Sequence, residues 1–151
     1  MAFLREKTSY NYRDTEQQRN IIAKQFAEQS WGTDELLEEI KAAETPYVDK
    51  FCQIKIPSWT KGRVALVGDA GYCASPAAGI GASLAVIGAG AIADALEKHE
   101  GSFELAFQAY NQTLRPFIEE VQATALTMLS KYLIPRTEEG IRKRNAHETS
   151  F

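Results

Sequence analysis

The spacing of apolar residues predicts helices over most of the chain. The longest pattern runs from residue 103 to residue 133, where apolar side chains recur every three or four positions, as on one face of an α-helix. Pro116 should kink or interrupt this helix, because proline has no backbone N–H and crowds the preceding turn. The stripe consists of Phe103, Phe107, Tyr110, Leu114, Phe117, Val121, Ala125, Met128 and Tyr132.

The first 60 residues predict two shorter helices. Asp14 with Gln17 three residues later is a capping-box pattern, which places a helix start there and its end near Gln29. A second helix should cover residues 35–43. We expect Thr33 or Asp34 as its N-cap, and Leu36, Leu37 and Ile40 as its buried face.

Three segments have strand-like patterns. Residues 51–56 alternate, with Cys52, Ile54 and Ile56 on one face, which indicates a half-exposed strand. Residues 64–67 form a short continuous apolar run, typical of a strand covered on both faces. Residues 2–5 are compatible with a further short strand.

Composition and charge narrow the class of protein. The 151 residues carry 17 basic and 20 acidic side chains, so nothing in the charge favours nucleic acid or an anionic membrane. No apolar run reaches the roughly 18 residues of a membrane span. The two cysteines, Cys52 and Cys73, form no CxxC pair, and no signal-peptide pattern opens the chain, so we expect reduced thiols in the cytoplasm. Residues 136–151 should form a charged, frayed tail.

The stretch from Gly62 to Leu96 combines features that suit a ligand. It predicts a buried strand that ends in Gly68-Asp69, then a loop, then a glycine-rich entry into an apolar helix from Gly79. A carboxylate in such a place can accept hydrogen bonds from sugar-type hydroxyls, and a helix N-terminus favours negative charge. Because this helix is apolar nearly all round, it should be buried.

The same pattern is compatible with a purely structural role. Residues 79–84 are not a dinucleotide fingerprint, because the last glycine is missing. Gly88 and Gly90 fall in mid-helix and favour a close-packing surface. Cys73 is expected to be a small filler, and His99 and His147 to be solvated. No catalytic residue and no metal-ligand cluster is predicted.

The stretch resembles the second flavin motif of the class A flavoprotein monooxygenases, the family of p-hydroxybenzoate hydroxylase. That family's pattern is roughly G-R-V-x-L-x-G-D-A-A-H, then Pro, then G-x-G and a small-residue helix. Residues 62–72 read GRVALVGDAGY, and Pro76 and residues 79–85 (GIGASLA) follow. The resemblance extends over most of the chain, with further matches at Trp31, Gln53-Ile54, Trp59 and Arg115-Pro116.

The resemblance implies an FAD site. Asp69 would hydrogen-bond the ribityl chain, and Pro76 would lie against the isoalloxazine ring. The backbone of residues 81–83 would face the pyrimidine edge, where the helix dipole would stabilise the negative charge of reduced flavin. The implied cofactor-binding residues are Gly68, Asp69, Pro76, Gly79, Gly81, Ala82 and Ser83. Ile80 stands where the family often has Gln or Lys, so a polar contact over the ring is not expected.

The implied fold is an α/β flavoprotein fragment, mainly helical with a few strands, that lacks the N-terminal dinucleotide-binding βαβ unit. Neither the G-x-G-x-x-G unit nor the family's middle Asp-Gly motif occurs. Residues 1–60 would be a remnant of the substrate-domain sheet and its helices, and 61–98 the second FAD-binding motif. Residues 99–135 would be C-terminal helices, followed by the tail at 136–151.

The resemblance leaves two functions open. One is the FAD-binding portion of an NAD(P)H-dependent monooxygenase that hydroxylates an aromatic or related small molecule. The alternative is an inactive truncated or split fragment that oligomerises or needs a separate N-terminal half. In either case Ile80, Leu84 and Ile87 could face water, because the nucleotide-binding sheet that would cover them is missing.

Overall fold

The computed structural model describes residues 9–27, 32–45, 47–135 and 137–148. These residues form two compact units, one before and one after the boundary between Lys50 and Phe51. The strand expected at residues 2–5 and the match at Trp31 lie outside the described residues. The described part is mainly helical with a two-stranded sheet, which confirms the predicted fold class. In chain order the elements are α1 (Thr15–Phe26), α2 (Thr33–Ala42), β1 (Thr60–Lys61), β2 (Val64–Ala65), α3 (Asp69–Tyr72), a 3₁₀ turn (Pro76–Ala78), α4 (Gly81–Lys98), α5 (Phe103–Met128), a π-helical turn (Leu129–Leu133) and α6 (Glu138–Glu148).

The start of α1 is capped as its sequence predicts. The Asp14 carboxylate accepts a hydrogen bond from the Gln17 backbone N–H at 2.8 Å. The Gln17 side chain, however, accepts from the Asn11 N–H at 2.6 Å instead of returning to Asp14, so the capping box is not reciprocal. The helix ends at Phe26, before the predicted end near Gln29.

The start of α2 differs from the prediction. Its N-cap is Gly32, which has a φ of 73°, so the predicted caps Thr33 and Asp34 are both inside the first turn. Glycine adopts this left-handed conformation at little steric cost. Leu37 is buried whereas Leu36 is exposed, so the buried face is narrower than predicted.

Residues 51–56 do not form the predicted strand. The predicted alternation of burial holds only from residue 54, with Ile54 and Ile56 half-buried and Lys55 exposed. It is wrong before that residue, because Cys52 is exposed and Gln53 is half-buried. The Ile54 N–H donates to the carbonyl of Cys73 at 3.0 Å, but no ladder of backbone bonds continues from it. Side chains of α5 satisfy neighbouring backbone groups instead, so this segment needs no partner strand.

The predicted strand at residues 64–67 is shorter and more exposed than expected. β2 covers residues 64 and 65 and pairs with β1 as an antiparallel hairpin, with Thr60 opposite Ala65 and Lys61 opposite Val64. Val64 is exposed, so the strand is not covered on both faces. The chain leaves the sheet at Leu66 and turns into α3.

The helix α5 is continuous, so the interruption predicted at Pro116 does not occur. Proline leaves the carbonyl of Gln112 without its helical N–H partner, but both residues lie on the exposed side, where water can replace that bond. Phe117 and Met128, expected in the buried stripe, are exposed. The buried face is Ala106, Tyr110, Leu114, Ile118, Gln122 and Ala125.

The helix α4 is buried along one side, not all round as its composition predicts. Its buried residues are Leu84, Gly88 and Ala95, whereas Val86 and Ile87 are exposed. The expectation that Ile87 faces water is therefore confirmed, and the same expectation for Leu84 is wrong. An apolar strip of α4 remains uncovered by the rest of the described chain.

The core of the second unit is an aromatic cluster. Trp59 lies against Tyr72 and Tyr110, with ring centroids 4.6 and 5.6 Å apart. Gly88 brings α4 against this cluster, because a Cβ added there would overlap the Tyr72 hydroxyl. The close-packing role predicted for mid-helix glycine is therefore confirmed at Gly88. It is wrong at Gly90, where an added Cβ would meet nothing within 4 Å.

The C-terminal region is more regular than predicted. Residues 138–148 form α6, where a frayed tail was expected. Exposed Glu139 and Lys143, one helical turn apart, form an ion pair at 2.6 Å. Within the described ranges, no helix is both long and apolar enough to cross a membrane.

The two mid-helix glycines give a matched test of the packing. Gly88→Ala should lower the free energy of unfolding by about 1–3 kcal/mol, because the new methyl group must displace Tyr72. Gly90→Ala should raise it by up to about 1 kcal/mol, since alanine is the better helix former and the space is open. Urea unfolding followed by circular dichroism measures both. Equal effects of the two substitutions would contradict the close contact.

Candidate functional site

A sharp turn brings the predicted site residues to the start of α4. Gly68 is buried with a φ of 65°, and a Cβ added there would lie 3.0 Å from the Cβ of Ala85. The position therefore requires glycine both for its backbone conformation and for the close approach to α4. Next to it, a Cβ added at Gly81 would lie 3.9 Å from the Asp69 Oδ1 atom, so the carboxylate and the helix start are neighbours.

Asp69 is exposed and is the first residue of α3. The sequence predicted it at the end of a buried strand; the intervening residues 66–68 instead turn the chain away from the sheet. Its carboxylate interacts with the Cys73 thiol, and burial, with a contribution from the Asp69 charge, raises the pKa of that thiol. Cys73 is thus a protonated neighbour of Asp69 at neutral pH.

The loop between α3 and α4 is held in an unusual conformation. Ser75 has a φ of 81° and a ψ of 148°, a region that non-glycine residues rarely adopt. Its hydroxyl accepts from the Ala77 N–H at 3.3 Å, and Pro76 begins the 3₁₀ turn that follows. Gly79, with a φ of 69°, ends that turn directly before α4. The Ser75 hydrogen bond and the 3₁₀ turn hold this loop with Pro76 exposed.

The N-terminus of α4 offers backbone donors. Its N-cap is Ile80, which has no side-chain acceptor for the first-turn N–H groups. In any α-helix these first N–H groups lack an intrahelical partner and carry the positive end of the dipole. Ala82 and Ser83 are exposed, so this end of the helix is accessible.

A buried glutamine that sequence analysis missed holds the loop in place. The Gln122 side-chain amide donates to the carbonyls of Ile54 at 2.9 Å and Cys73 at 3.1 Å. From the other side, the Gln53 amide donates to the Ala74 carbonyl at 3.2 Å and to the Gln122 carbonyl at 2.7 Å. The signal in the sequence was its spacing in the helix, four residues after Ile118 and three before Ala125, both of which are buried.

The hairpin and α3 are joined through two buried tyrosines. The Tyr110 hydroxyl donates to the Leu66 carbonyl at 2.9 Å and lies 3.2 Å from the Tyr72 hydroxyl. Burial raises the pKa of Tyr110, so the hydroxyl keeps its proton and remains a donor. This bond fixes the point where the chain leaves β2 and turns toward Asp69.

Two residues of the family resemblance, Trp59 and Arg115, have a supporting role. The Arg115 guanidinium lies 4.3 Å from the Trp59 ring centroid and donates to the Pro57 carbonyl at 3.1 Å. Asn111, one turn earlier in α5, accepts from the Trp59 N–H at 3.1 Å. These contacts anchor the segment before β1 to α5.

The predicted residues thus form an open surface rather than an enclosed pocket. Gly68, Asp69 and Gly81 lie together, and the loop that carries Pro76 and Gly79 leads directly into the start of α4. The exposed members of the set are Asp69, Pro76, Gly79, Ala82 and Ser83.

Comparison with known proteins shows what this chain is similar to. No family model matches the chain. A flavin-dependent monooxygenase from an unknown prokaryotic organism is 38% identical over 126 residues. Another from Legionella longbeachae is 36% identical over 138 residues, or 91% of this chain. This chain is similar to one part of the flavin-dependent monooxygenases. It spans about a third of the length of these relatives, 32% and 35%.

Solved structures agree with this similarity. The crystal structure of tetracycline destructase Tet(51) superposes on this chain with a TM-score of 0.73 at 39% sequence identity. The superposed region is 95% of this chain and 39% of the tetracycline destructase chain. Tetracycline destructase Tet(55) gives a TM-score of 0.75 at 37% identity. The predicted resemblance to flavin-dependent monooxygenases is therefore confirmed. A specific relation to p-hydroxybenzoate hydroxylase stays a prediction.

The role of Gln122 can be tested without any ligand. Gln122→Leu should lower the free energy of unfolding by about 1–3 kcal/mol, because buried carbonyls lose their donor. It should also speed hydrogen exchange at the Ile54 amide, whose partner Cys73 is no longer held. The exposed Gln112→Leu on the same helix should change stability by less than about 0.5 kcal/mol. Unchanged exchange at Ile54 in the Gln122 variant would show that the loop does not depend on this amide.

Proposed function

We propose that this chain forms one wall of the FAD site of an NAD(P)H-dependent monooxygenase that hydroxylates an aromatic or related small molecule. The observation that carries the proposal is the juxtaposition of the exposed Asp69 carboxylate with the uncapped start of α4, made possible by the left-handed Gly68. The similarity to flavin-dependent monooxygenases over most of this chain supports flavin as the ligand.

The residues present suit a flavin chemically. Asp69 is exposed and can accept a hydrogen bond from a ribityl hydroxyl, the contact expected from the family resemblance. Gly79 and Gly81 have no side chains that would block a flat ring system beside the start of α4. The space at Gly79 is open, since an added Cβ there would meet nothing within 4 Å. Pro76 is exposed at the edge of this space and would pack against the ring.

The electrostatics of α4 suit the reduced state of the cofactor. When bound, the flavin would supply the redox chemistry that activates oxygen. The N–H groups of residues 81–83 would donate to the electron-rich pyrimidine edge, and the dipole of this 18-residue helix favours negative charge there. The chain's own contribution is therefore to bind, to orient and to stabilise charge; we assign it no proton-transfer residue.

The substrate class is proposed from the solved relatives. Two tetracycline destructases are 39% and 37% identical to this chain, which supports a small molecule with fused rings. A reaction of this kind in the cytoplasm also suits the two free thiols.

The alternative is a fragment that is inactive alone and associates with a second copy or with a separate N-terminal half. The exposed apolar strip on α4 favours it: Val86 is 72% exposed and Ile87 43%. Uncovered strips of this kind commonly form interfaces. The chain's coverage of about a third of its relatives is consistent with this alternative.

Asp69 provides the direct test of the site. The proposed contacts between this chain and FAD are confined to the flavin and ribityl parts of the cofactor. We therefore expect the chain alone to bind FAD poorly, with a dissociation constant above the micromolar range. Asp69→Ala should weaken that binding by about tenfold to a hundredfold, as a lost charged hydrogen bond of about 1.5–3 kcal/mol requires. Isothermal titration at high protein concentration measures both quantities.

The exposed Asp94→Ala on α4 is the control for a change of charge. It should leave FAD affinity unchanged, since Asp94 lies more than three turns from the helix start. Equal FAD affinity for the Asp69→Ala variant and the unsubstituted chain would show that Asp69 makes no contact with the ribityl chain and has only a structural role in α3.

Association is tested separately from flavin binding. The unsubstituted chain should sediment as a dimer at low micromolar concentration, and Val86→Glu should dissociate it, because a charge in an apolar interface is costly. Val64→Glu, a comparably exposed position on the hairpin, should not. A monomeric unsubstituted chain would exclude self-association and leave a separate N-terminal half as the proposed partner.

A further inference from the structure

The two cysteines, 21 positions apart, meet at the loop that follows Asp69. The Cys73 Sγ atom lies 3.8 Å from the main-chain carbonyl oxygen of Cys52. Burial raises the pKa of the Cys73 thiol, and Cys52 adds a smaller electrostatic contribution, as expected of two cysteines close in space. Both thiols are free.

The backbone around the pair is fixed in register. The Ile54 N–H donates to the Cys73 carbonyl at 3.0 Å, and the Gln53 side chain donates to the Ala74 carbonyl at 3.2 Å. The buried Gln122 amide binds the carbonyls of both segments. The two cysteines are therefore held side by side by contacts that do not involve their sulfurs.

The two thiols differ in access. Cys52 is exposed, whereas Cys73 is half-buried. An oxidant from solution reaches Cys52 first, and Cys73 is then the nearest thiol that can resolve the oxidised sulfur. An exposed thiol beside a resolving thiol is the usual arrangement of a redox-responsive pair.

We propose that Cys52 and Cys73 form a reversible intramolecular disulfide when the chain meets a peroxide. In the first step the Cys52 thiolate attacks a peroxide oxygen, the O–O bond breaks, hydroxide leaves and Cys52 becomes a sulfenic acid. In the second step the Cys73 thiol gives up its proton and its sulfur attacks the sulfenic sulfur; the S–S bond forms, the S–O bond breaks, and the released hydroxide takes up the proton as water. Two thiols and one hydrogen peroxide thus give one disulfide and two water molecules, and a thiol reductant reverses the change.

The disulfide would alter the surface around Asp69. In the reduced chain the Cys73 thiol donates to the Cys52 carbonyl, and it lies near enough to Asp69 for that carboxylate to add to the effect of burial in raising the thiol pKa. In the oxidised chain the thiol proton is lost, and residue 52 is covalently joined to the loop that follows Asp69. The disulfide is independent of the proposed flavin function, since its formation needs only the two thiols and the oxidant.

Peptide mapping of the full chain tests the proposal. After treatment with hydrogen peroxide, blocking of free thiols and trypsin digestion without reductant, the peptides of residues 51–55 and 64–98 should appear joined, with the loss of two hydrogens. Dithiothreitol should separate them. Oxidation should also raise the melting temperature, because a cross-link restricts the unfolded chain.

Three variants provide the controls. Cys52→Ser and Cys73→Ser should each abolish the joined peptide and the shift in melting temperature. In the Cys52→Ser background, Ser58→Cys puts an exposed thiol six residues further along the chain, four residues from the Ile54 amide that binds Cys73, and it should join Cys73 much more slowly. A disulfide requires the two Cα atoms to come within about 7 Å, so this comparison tests proximity directly.

Two results would overturn the proposal. One is oxidation that yields only sulfinic or sulfonic acid at Cys52, or only dimers linked through Cys52 of two chains. The other is equal rates of joining for Ser58→Cys and for native Cys52, which would show that loop motion, and not the register of residues 52–54, brings the thiols together.

Discussion

The second unit depends on polar side chains of α5 that satisfy the backbone of segments lacking a sheet. Gln122, Arg115 and Asn111 lie along one side of the helix and bind backbone groups between residues 54 and 59. A buried carbonyl or N–H without a partner costs about 1–3 kcal/mol, so each of these side chains replaces part of a missing ladder. This explains how residues 51–59 and the loop after α3 are held in place although the described sheet has only two strands of two residues each.

The second constraint is the close approach of α4 to the turn around α3. Gly68 and Gly88 allow it, since added Cβ atoms would meet Ala85 and the Tyr72 hydroxyl. Tyr72 is in turn fixed against Trp59 and Tyr110. The start of α4 and the Asp69 carboxylate are therefore positioned by the aromatic core, and a change in that core should be transmitted to the candidate site.

The candidate site is an open surface. Its exposed carboxylate, strained loop and uncapped helix start point outward, and the apolar strip of α4 continues the same exposed helix. The chain is similar to flavin-dependent monooxygenases over about a third of their length. A flavin, or the protein surface that would enclose it, would cover groups that the described chain leaves in contact with water.

The sequence by itself determined the helical character of the chain, the Asp14 cap of α1, the packing role of Gly88 and the resemblance of residues 62–85 to a flavin motif. These features depend on local spacing or on residue types that a motif requires. Tertiary structure alone decided which faces are buried. The stripe of α5 includes Ile118 and Gln122 instead of Phe117 and Met128, and residues 51–56 alternate without pairing into a strand. Periodicity shows that a segment has two faces, but residues distant in the sequence decide which face is covered. For residues 51–56 the distant partner is the buried Gln122 amide of α5.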